Sequence, residues 1–188
     1  MQVTGGIFRN RRIHIKNQKG VRPTSSKVRE AIFSMLGQDL TGRSFLDSFG
    51  GSGIMGVEAL SRGASPVRIT ERTGRTVRQI RQACQDLSNE LQIMQCDAGV
   101  GLLENWDIVF LDPPYRMSVI PFVRQALLTT NHTIVVETSS DQPLDLSLLR
   151  TEMALRSWSV DRPKVYGSSL ITILQRAVSV EDAATDLL

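Results

Sequence analysis

Apolar residues recur along the chain in short blocks of two kinds, and the two kinds alternate. In "RPTSSKVREAIFSMLG", Val28, Ile32, Phe33, Met35 and Leu36 fall at helical spacing and give one apolar face. Pro23 and the Thr24-Ser25-Ser26 cluster offer capping hydroxyls at its start, and Gly37 stops it. "SFLDS" then reads as a short buried strand, and "GIMGVEALSRGA" as a helix closed by Gly63. "PVRIT" is the next strand. It is followed by "GRTVRQIRQACQDL", an amphipathic helix that turns Val77, Ile80, Ala83, Cys84 and Leu87 inward. "LQIMQ", "DIVFLD" and "TIVVE" are further strands, with "MSVIPFVRQALL" filling the gap before the last. Aliphatic and β-branched blocks separated by helices predict a parallel sheet covered on both faces. "ALRSWSV" and "SSLITILQ" are joined only by the turn-like "DRPKVYG". That link is too short for a parallel crossover, so the two predict an antiparallel hairpin. The expected fold is α/β, with a mostly parallel sheet of seven strands.

Ahead of this pattern, "VTGGIFRNRRIHI" predicts a small β-hairpin displaying Arg9, Arg11 and Arg12. The chain thus divides into a basic N-terminal hairpin and helix (1–37), a main domain (38–176) and a frayed tail (177–188). Charge supports the first boundary. Residues 1–29 carry eight basic side chains and no acid, whereas the rest hold 14 basic and 19 acidic residues, a net charge of −5. A basic arm on an acidic body is a footprint of phosphate binding. The 188 residues suffice for one self-supporting core. Cys84 and Cys96 form no metal-binding or disulfide pattern and read as thiols of a reducing compartment. No apolar run approaches a membrane span, and Gly5, Gly6 and Arg9 interrupt any signal-peptide core, so a cytoplasmic address is expected, with a monomer as the default and no metal needed.

"DSFGGSGIMG" brings in candidate chemistry. Gly51, Gly53 and Gly56 have the G-x-G-x-x-G spacing of a dinucleotide site, and Glu71 stands twenty residues after Gly51. Asp47 argues against a pyrophosphate there. Two unit charges ~5 Å apart repel by about 3 kcal/mol at an effective dielectric of ~20. A carboxylate ahead of the glycines instead suits a cation, and S-adenosylmethionine carries an ammonium and a sulfonium without a phosphate. Its amino-acid end would sit near Asp47 and the glycine backbone, its ribose diol on Glu71 and its adenine amine on Asp97 in "QCDAG". Three acids at the ends of successive strands fit an adenosine ligand at the carboxyl edge of a sheet.

"DIVFLDPPYRM" supplies a second half-site. Asp112 ends a buried strand, and Pro113 and Pro114 fix the backbone after it. The Asp112 carboxylate and the Pro113 carbonyl then converge as two acceptors for a planar amine. Accepting both hydrogens helps the nitrogen pyramidalise and frees its lone pair. Tyr115 is spaced to stack on the base, a contact worth roughly 1–3 kcal/mol.

Asp112-Pro113-Pro114-Tyr115 after a DxFxGSG loop resembles the amino-methyltransferases of the Rossmann-like class I fold. "GGIFRNRRI" is similar to a GGxxRGRxL opening, "RPTSSKVREAIFSML" to RPTxDRVREALFNxL, and "LDSFGGSGIMGVEALSRGA" to LDLFAGSGALGLEALSRGA. With "KVYGSSLITI", these resemble the bacterial family that methylates N2 of a guanine in 16S ribosomal RNA, over about residues 3–175. The resemblance implies a cofactor site of Asp47, Phe49, Gly51, Ser52, Gly53, Glu71, Arg72, Asp97, Ala98 and Asp112. It implies a catalytic group of Asp112, Pro113, Pro114 and Tyr115. Arg9, Arg11, Arg12, Arg22, Thr24 and Tyr115 would meet RNA, as ribosomal RNA or the small subunit. Ser48, Gly50, Ser26 and Thr73 depart from the family pattern, the last two where it carries acids. Other readings are a DNA adenine-N6 methyltransferase, for which the chain leaves little room, and an rRNA-binding assembly factor with weak turnover. A dinucleotide oxidoreductase finds no hydride-transfer acid downstream.

Overall fold

The computed structural model describes residues 1–15, 24–114 and 116–177. Arg22, Tyr115 and the tail from residue 178 lie outside these residues. Five strands run parallel: β1 (Phe45–Asp47), β2 (Val67–Glu71), β3 (Leu91–Gln95), β4 (Trp106–Leu111) and β5 (Thr130–Ser139). β6 (Trp158–Val160), β7 (Lys164–Tyr166) and β8 (Ser169–Arg176) complete the sheet, with β8 antiparallel to β5. The order is β3-β2-β1-β4-β5-β8-β6, and β7 also pairs with β8. Among the described residues the sheet therefore has an eighth strand beyond the seven expected. "KVY", read above as part of a turn, pairs Lys164 with Ile171 and Tyr166 with Ser169 along the outer edge of β8. β-Favouring Val165 and Tyr166 pair with β8 through the two-residue turn Gly167–Ser168, whose Gly167 has φ +63°.

Among the described residues six α-helices cover the sheet: α1 (Ser26–Leu36), α2 (Ile54–Ser61), α3 (Gly74–Cys84), α4 (Ala98–Gly101), α5 (Ile120–Thr129) and α6 (Arg150–Leu155). Strand alternation sorts the core into two layers. Phe45, Ile108, Phe110 and Val135 face one layer with Ile32 and Phe33 of α1 and Val57 of α2. Leu46, Val109, Leu111 and Val136 face the other with Val123 and Leu127 of α5. Ser25 caps α1, its Oγ accepting from the Val28 amide at 3.3 Å, and Gly37 ends it at φ +97°. α3 buries Val77, Ile80 and Cys84, as its spacing predicts, with Ala83 and Leu87 packed at the margin.

The N-terminal segment forms the expected hairpin only at its base. Around the Gln2–Arg12 bridge the Val3 amide donates to the Arg11 carbonyl at 2.9 Å and the Ile13 amide to the Met1 carbonyl at 2.7 Å, but the residues between leave the pair. The reason is packing. Val3 and Ile13 are buried in the same layer as α1 and α2. The Gly5–Phe8 stretch bonds to the end of α2 instead of to its own return strand: the Ile7 amide donates to the Ser61 carbonyl and the Phe8 amide to Ser61 Oγ. Glu58 of α2, fully buried, receives Arg29 Nε at 3.1 Å, the Arg62 guanidinium, and the Thr4 amide and hydroxyl at 2.8 and 3.0 Å. Arg29 also donates to the carbonyls of Gln2 and Thr24, both at 2.7 Å. One buried carboxylate thereby ties the first residues, α1 and α2 together.

Candidate active site

Strand order reverses between β1 and β4, the place where an open α/β sheet parts its loops at the carboxyl edge. A cavity of about 480 Å³ lies there. Across the sheet each parallel strand delivers one acid to it: Asp97 after β3, Glu71 on β2, Asp47 on β1, Asp112 after β4 and Glu137 on β5.

The glycine loop forms the floor. Gly53 starts α2 at φ +69°, a left-handed conformation that side chains resist. A Cβ on Gly56 would stand 2.5 Å from Ile69 Cγ1, so glycine lets α2 lie close on β2. Glu71 ties loop to helix, its Oε2 accepting from the Gly51 amide at 3.1 Å and its Oε1 from the Thr73 amide at 2.6 Å. Thr70 Oγ1 donates to the Ser48 carbonyl at 2.7 Å, and Ser48 Oγ to the Ala98 carbonyl at 2.8 Å. Ser48, a departure from the family pattern, thus fastens the end of β1 to the start of α4.

Electrostatics set the character of the cavity. Asp47 is buried (2% exposed), and burial pushes its carboxyl up to about 8. The Gly56 and Phe49 amides pull it down, while Glu71 pushes it further up. Asp112 also stands well above the ordinary carboxylate range, through burial first, then through Glu137 and Asp47, and against a bond from Thr24. Among the described residues neither Asp47 nor Asp112 is paired with a lysine or arginine. A cavity edged by five acids and a single arginine among the described residues, Arg72 at its mouth, suits a positively charged ligand, so these residues fit S-adenosylmethionine. No group of three or more histidine, cysteine or acidic side chains among the described residues is placed to hold a metal.

Of the expected cofactor residues, all but Gly53 line the cavity; Gly53 lies beneath it as the cap of α2. Pro113 and Pro114 line it beside Asp112, and Thr24 closes the wall at the entry to α1. Arg9, Arg11 and Arg12 do not line it. Arg9 and Arg12 are exposed, and Arg11 pairs with Asp86 just beyond α3. Glu137 is the functional candidate that the sequence reading missed. It accepts from Ser169 Oγ at 2.7 Å and Thr24 Oγ1 at 3.3 Å. "TIVVE" ends in an acid as the β2 strand does at Glu71, so the rule that found Glu71 finds it too. Ser169 and Tyr166 reach the cavity only through the β7–β8 turn, for which no local signal exists. Phe122 of α5 lies edge-on to Phe49, ring centroids 4.9 Å apart, and completes the apolar wall.

Comparison with known proteins places this geometry among relatives. The model of the family described as conserved hypothetical protein 95 matches residues 1–175. Ribosomal RNA small subunit methyltransferase D of Haemophilus influenzae is 32% identical over 157 residues, covering 77% of this chain and 81% of that protein. Its namesake from Escherichia coli K12 is 28% identical over 193 residues, covering 98% and 94%. In solved structures, Escherichia coli yhhF superposes with a TM-score of 0.75 at 24% identity, covering 95% of this chain and 99% of that one. Magnesium protoporphyrin IX methyltransferase of Synechocystis, solved with S-adenosylmethionine bound, shares the fold at a TM-score of 0.60 and 15% identity, over 80% of this chain and 79% of that one.

Proposed function

The chain belongs to the conserved hypothetical protein 95 family, an S-adenosylmethionine-dependent methyltransferase family, and on that premise we propose that it methylates the exocyclic N2 amine of a guanine in small-subunit ribosomal RNA. The relatives' names support the RNA, and the Asp112-Pro113-Pro114 turn at the cavity supports the amine. The observation that carries the reading is the row of acids at the ends of the parallel strands, which includes that turn at Asp112. In this reading Asp47, Gly51 and Gly53 hold the amino-acid end of the cofactor, with Phe49 and Ser52 beside them. Glu71 and Arg72 hold the ribose, and Asp97 with the Ala98 amide holds the adenine. When bound, the cofactor supplies an activated methyl group on a sulfonium.

The chain's own part is to orient an amine and take its proton. Asp112 Oδ and the Pro113 carbonyl accept the two amine hydrogens and turn the nitrogen lone pair toward the cofactor side. The proton shed by the methylated amine goes to Asp112, which accepts it as the carboxylate and becomes the carboxylic acid. Burial and the neighbouring acids already raise its proton affinity. Pro114 keeps the turn rigid, and Tyr115 stacks on the base. N2 of guanine points into the minor groove of a duplex, so the target is unpaired or flipped out. Arg9, Arg11, Arg12 and Arg22 serve RNA phosphates, and Thr24 braces the site's wall. The extension 1–37 then acts as the RNA-facing part of the molecule and 38–176 as the catalytic part.

Asp112→Ala tests the assignment. Turnover should fall about 100-fold or more, while affinity for S-adenosylhomocysteine, measured by calorimetry, stays within a few-fold. Loss of that affinity with turnover would make Asp112 a cofactor ligand and overturn its role at the amine.

A further inference from the structure

Beside Pro113 and Pro114 lies a second cavity of about 190 Å³, lined by residues 117–120 on one side and by the end of β5 and residues 142–145 on the other. It is smaller than the ~300–1,000 Å³ of pockets for drug-sized ligands, and suits one base better than a whole nucleotide. Pro113, Pro114, Met117 and Glu137 line both cavities and so stand where the two adjoin. Glu137 is buried (5% exposed) and presents itself there as an acceptor, since the hydroxyls of Ser169 and Thr24 both donate to it. Thr24 also bonds Asp112. Thr24 Oγ1 is within reach of both carboxyls, and with one hydrogen to give it donates to one of them at a time, so it marks Glu137 and Asp112 as neighbours.

That pairing selects among amine-bearing bases. In guanine the ring position next to the amine is a donor, N1–H. In adenine and cytosine the ring nitrogen next to the amine presents a lone pair. A fixed acceptor beside the amine-receiving group satisfies guanine and faces the other two acceptor to acceptor. Sites built on such buried polar matches reject the analogue that lacks the hydrogen.

We propose that the smaller cavity receives the target base and that Glu137 identifies it as guanine by accepting N1–H, next to the N2 amine held by Asp112 and Pro113. The assignment rests on the guanine-N2 reading above and names the residue that enforces it. Glu137 is a specificity residue, distinct from the proton acceptor Asp112.

Digestion of RNA labelled by the enzyme first locates the modified nucleotide. The RNA around it is then prepared with guanine, 2-aminopurine or 1-methylguanine at that position, in whichever form, naked or assembled, accepts the label. 2-Aminopurine keeps the amine and puts a lone pair at N1; 1-methylguanine blocks N1–H. The wild-type kcat/KM should fall roughly 10- to 100-fold for each analogue. In Glu137→Gln the amide turns an N–H toward the base. Guanine should lose by a similar factor while 2-aminopurine gains, so the ratio between them collapses or inverts. A merely structural Glu137 would lower both substrates alike. Equal losses in the variant would overturn the assignment. So would a wild-type enzyme that methylates 2-aminopurine as well as guanine, a comparison that needs no variant to fold. Either result with label on guanine N2 leaves the proposed function standing, whereas label on an adenine amine removes both.

Discussion

Asp47 brings a carboxyl into the interior beneath the glycine loop with no lysine or arginine of the described residues beside it. Burial holds its proton up to about pH 8, so the cofactor-free protein at pH 7 carries this group mostly neutral. The unfolded chain releases that proton near pH 4. This side chain's contribution to stability therefore falls as pH rises from about 4 to 8, because the folded state binds the extra proton across that window. A ligand ammonium reverses the balance by favouring the carboxylate. Affinity for S-adenosylhomocysteine should rise as pH goes from 6 to 8, by up to about tenfold per unit, and level off above. Titration calorimetry in buffers of different ionisation enthalpy should show a proton released on binding at pH 7. Asp47→Asn should flatten the profile. A wild-type affinity that stays constant or falls over this range would mean that Asp47 does not meet the ligand's cation.

α3 shows what one helix adds beyond its buried face. It begins beside the cavity, where Arg72 lines the mouth, and runs back about 16 Å to the opposite edge of the sheet. There Asp86 pairs with Arg11 of the N-terminal segment. Between these ends Arg75, Arg78 and Arg81 stand exposed, and the helix carries no acid. Arg9, Arg11 and Arg12 thus lie at the far ends of α2 and α3, a helix length from the chemistry. An RNA that touches both must follow the flank of the molecule, and the α3 arginines mark a route. Replacing Arg75 and Arg78 by glutamine should weaken RNA binding and reduce the slope of log affinity against log salt by about 0.7 for every phosphate no longer neutralised. The cofactor affinity should not change. Filter binding across a salt series reads this directly, and an unaltered slope would put the RNA path on another face.

At the scale of the molecule, what was legible in the sequence follows from how local each signal is. The parallel strands could be read because each is a compact apolar block, and Asp47, Glu71, Asp97 and Asp112 because an acid closes or follows each block. β7 could not, since "KVY" is a strand only by pairing with β8. The N-terminal hairpin pairs over fewer residues than its alternation predicts, for the converse reason. Its alternation matched a strand pair, but burial of Val3 and Ile13 against α1 and α2, together with the Glu58 ion cluster, draws the segment onto the helices. Glu137 closes its block as Glu71 does and was open to the same rule, but its bonds to Thr24 and Ser169 join residues 113 and 32 positions apart, contacts that only the closed fold creates. No helix among the described residues is long and apolar enough to cross a membrane. The central claim is that this fold moves a methyl group to guanine N2 of small-subunit RNA. The protein, given methyl-labelled S-adenosylmethionine, should be incubated in parallel with unmodified small-subunit RNA, unmodified small subunits and DNA, and each product digested to nucleosides. The account predicts label in N2-methylguanosine from the RNA or the subunits and none from DNA. Label in an adenine amine, or RNA bound tightly without transfer, would contradict it.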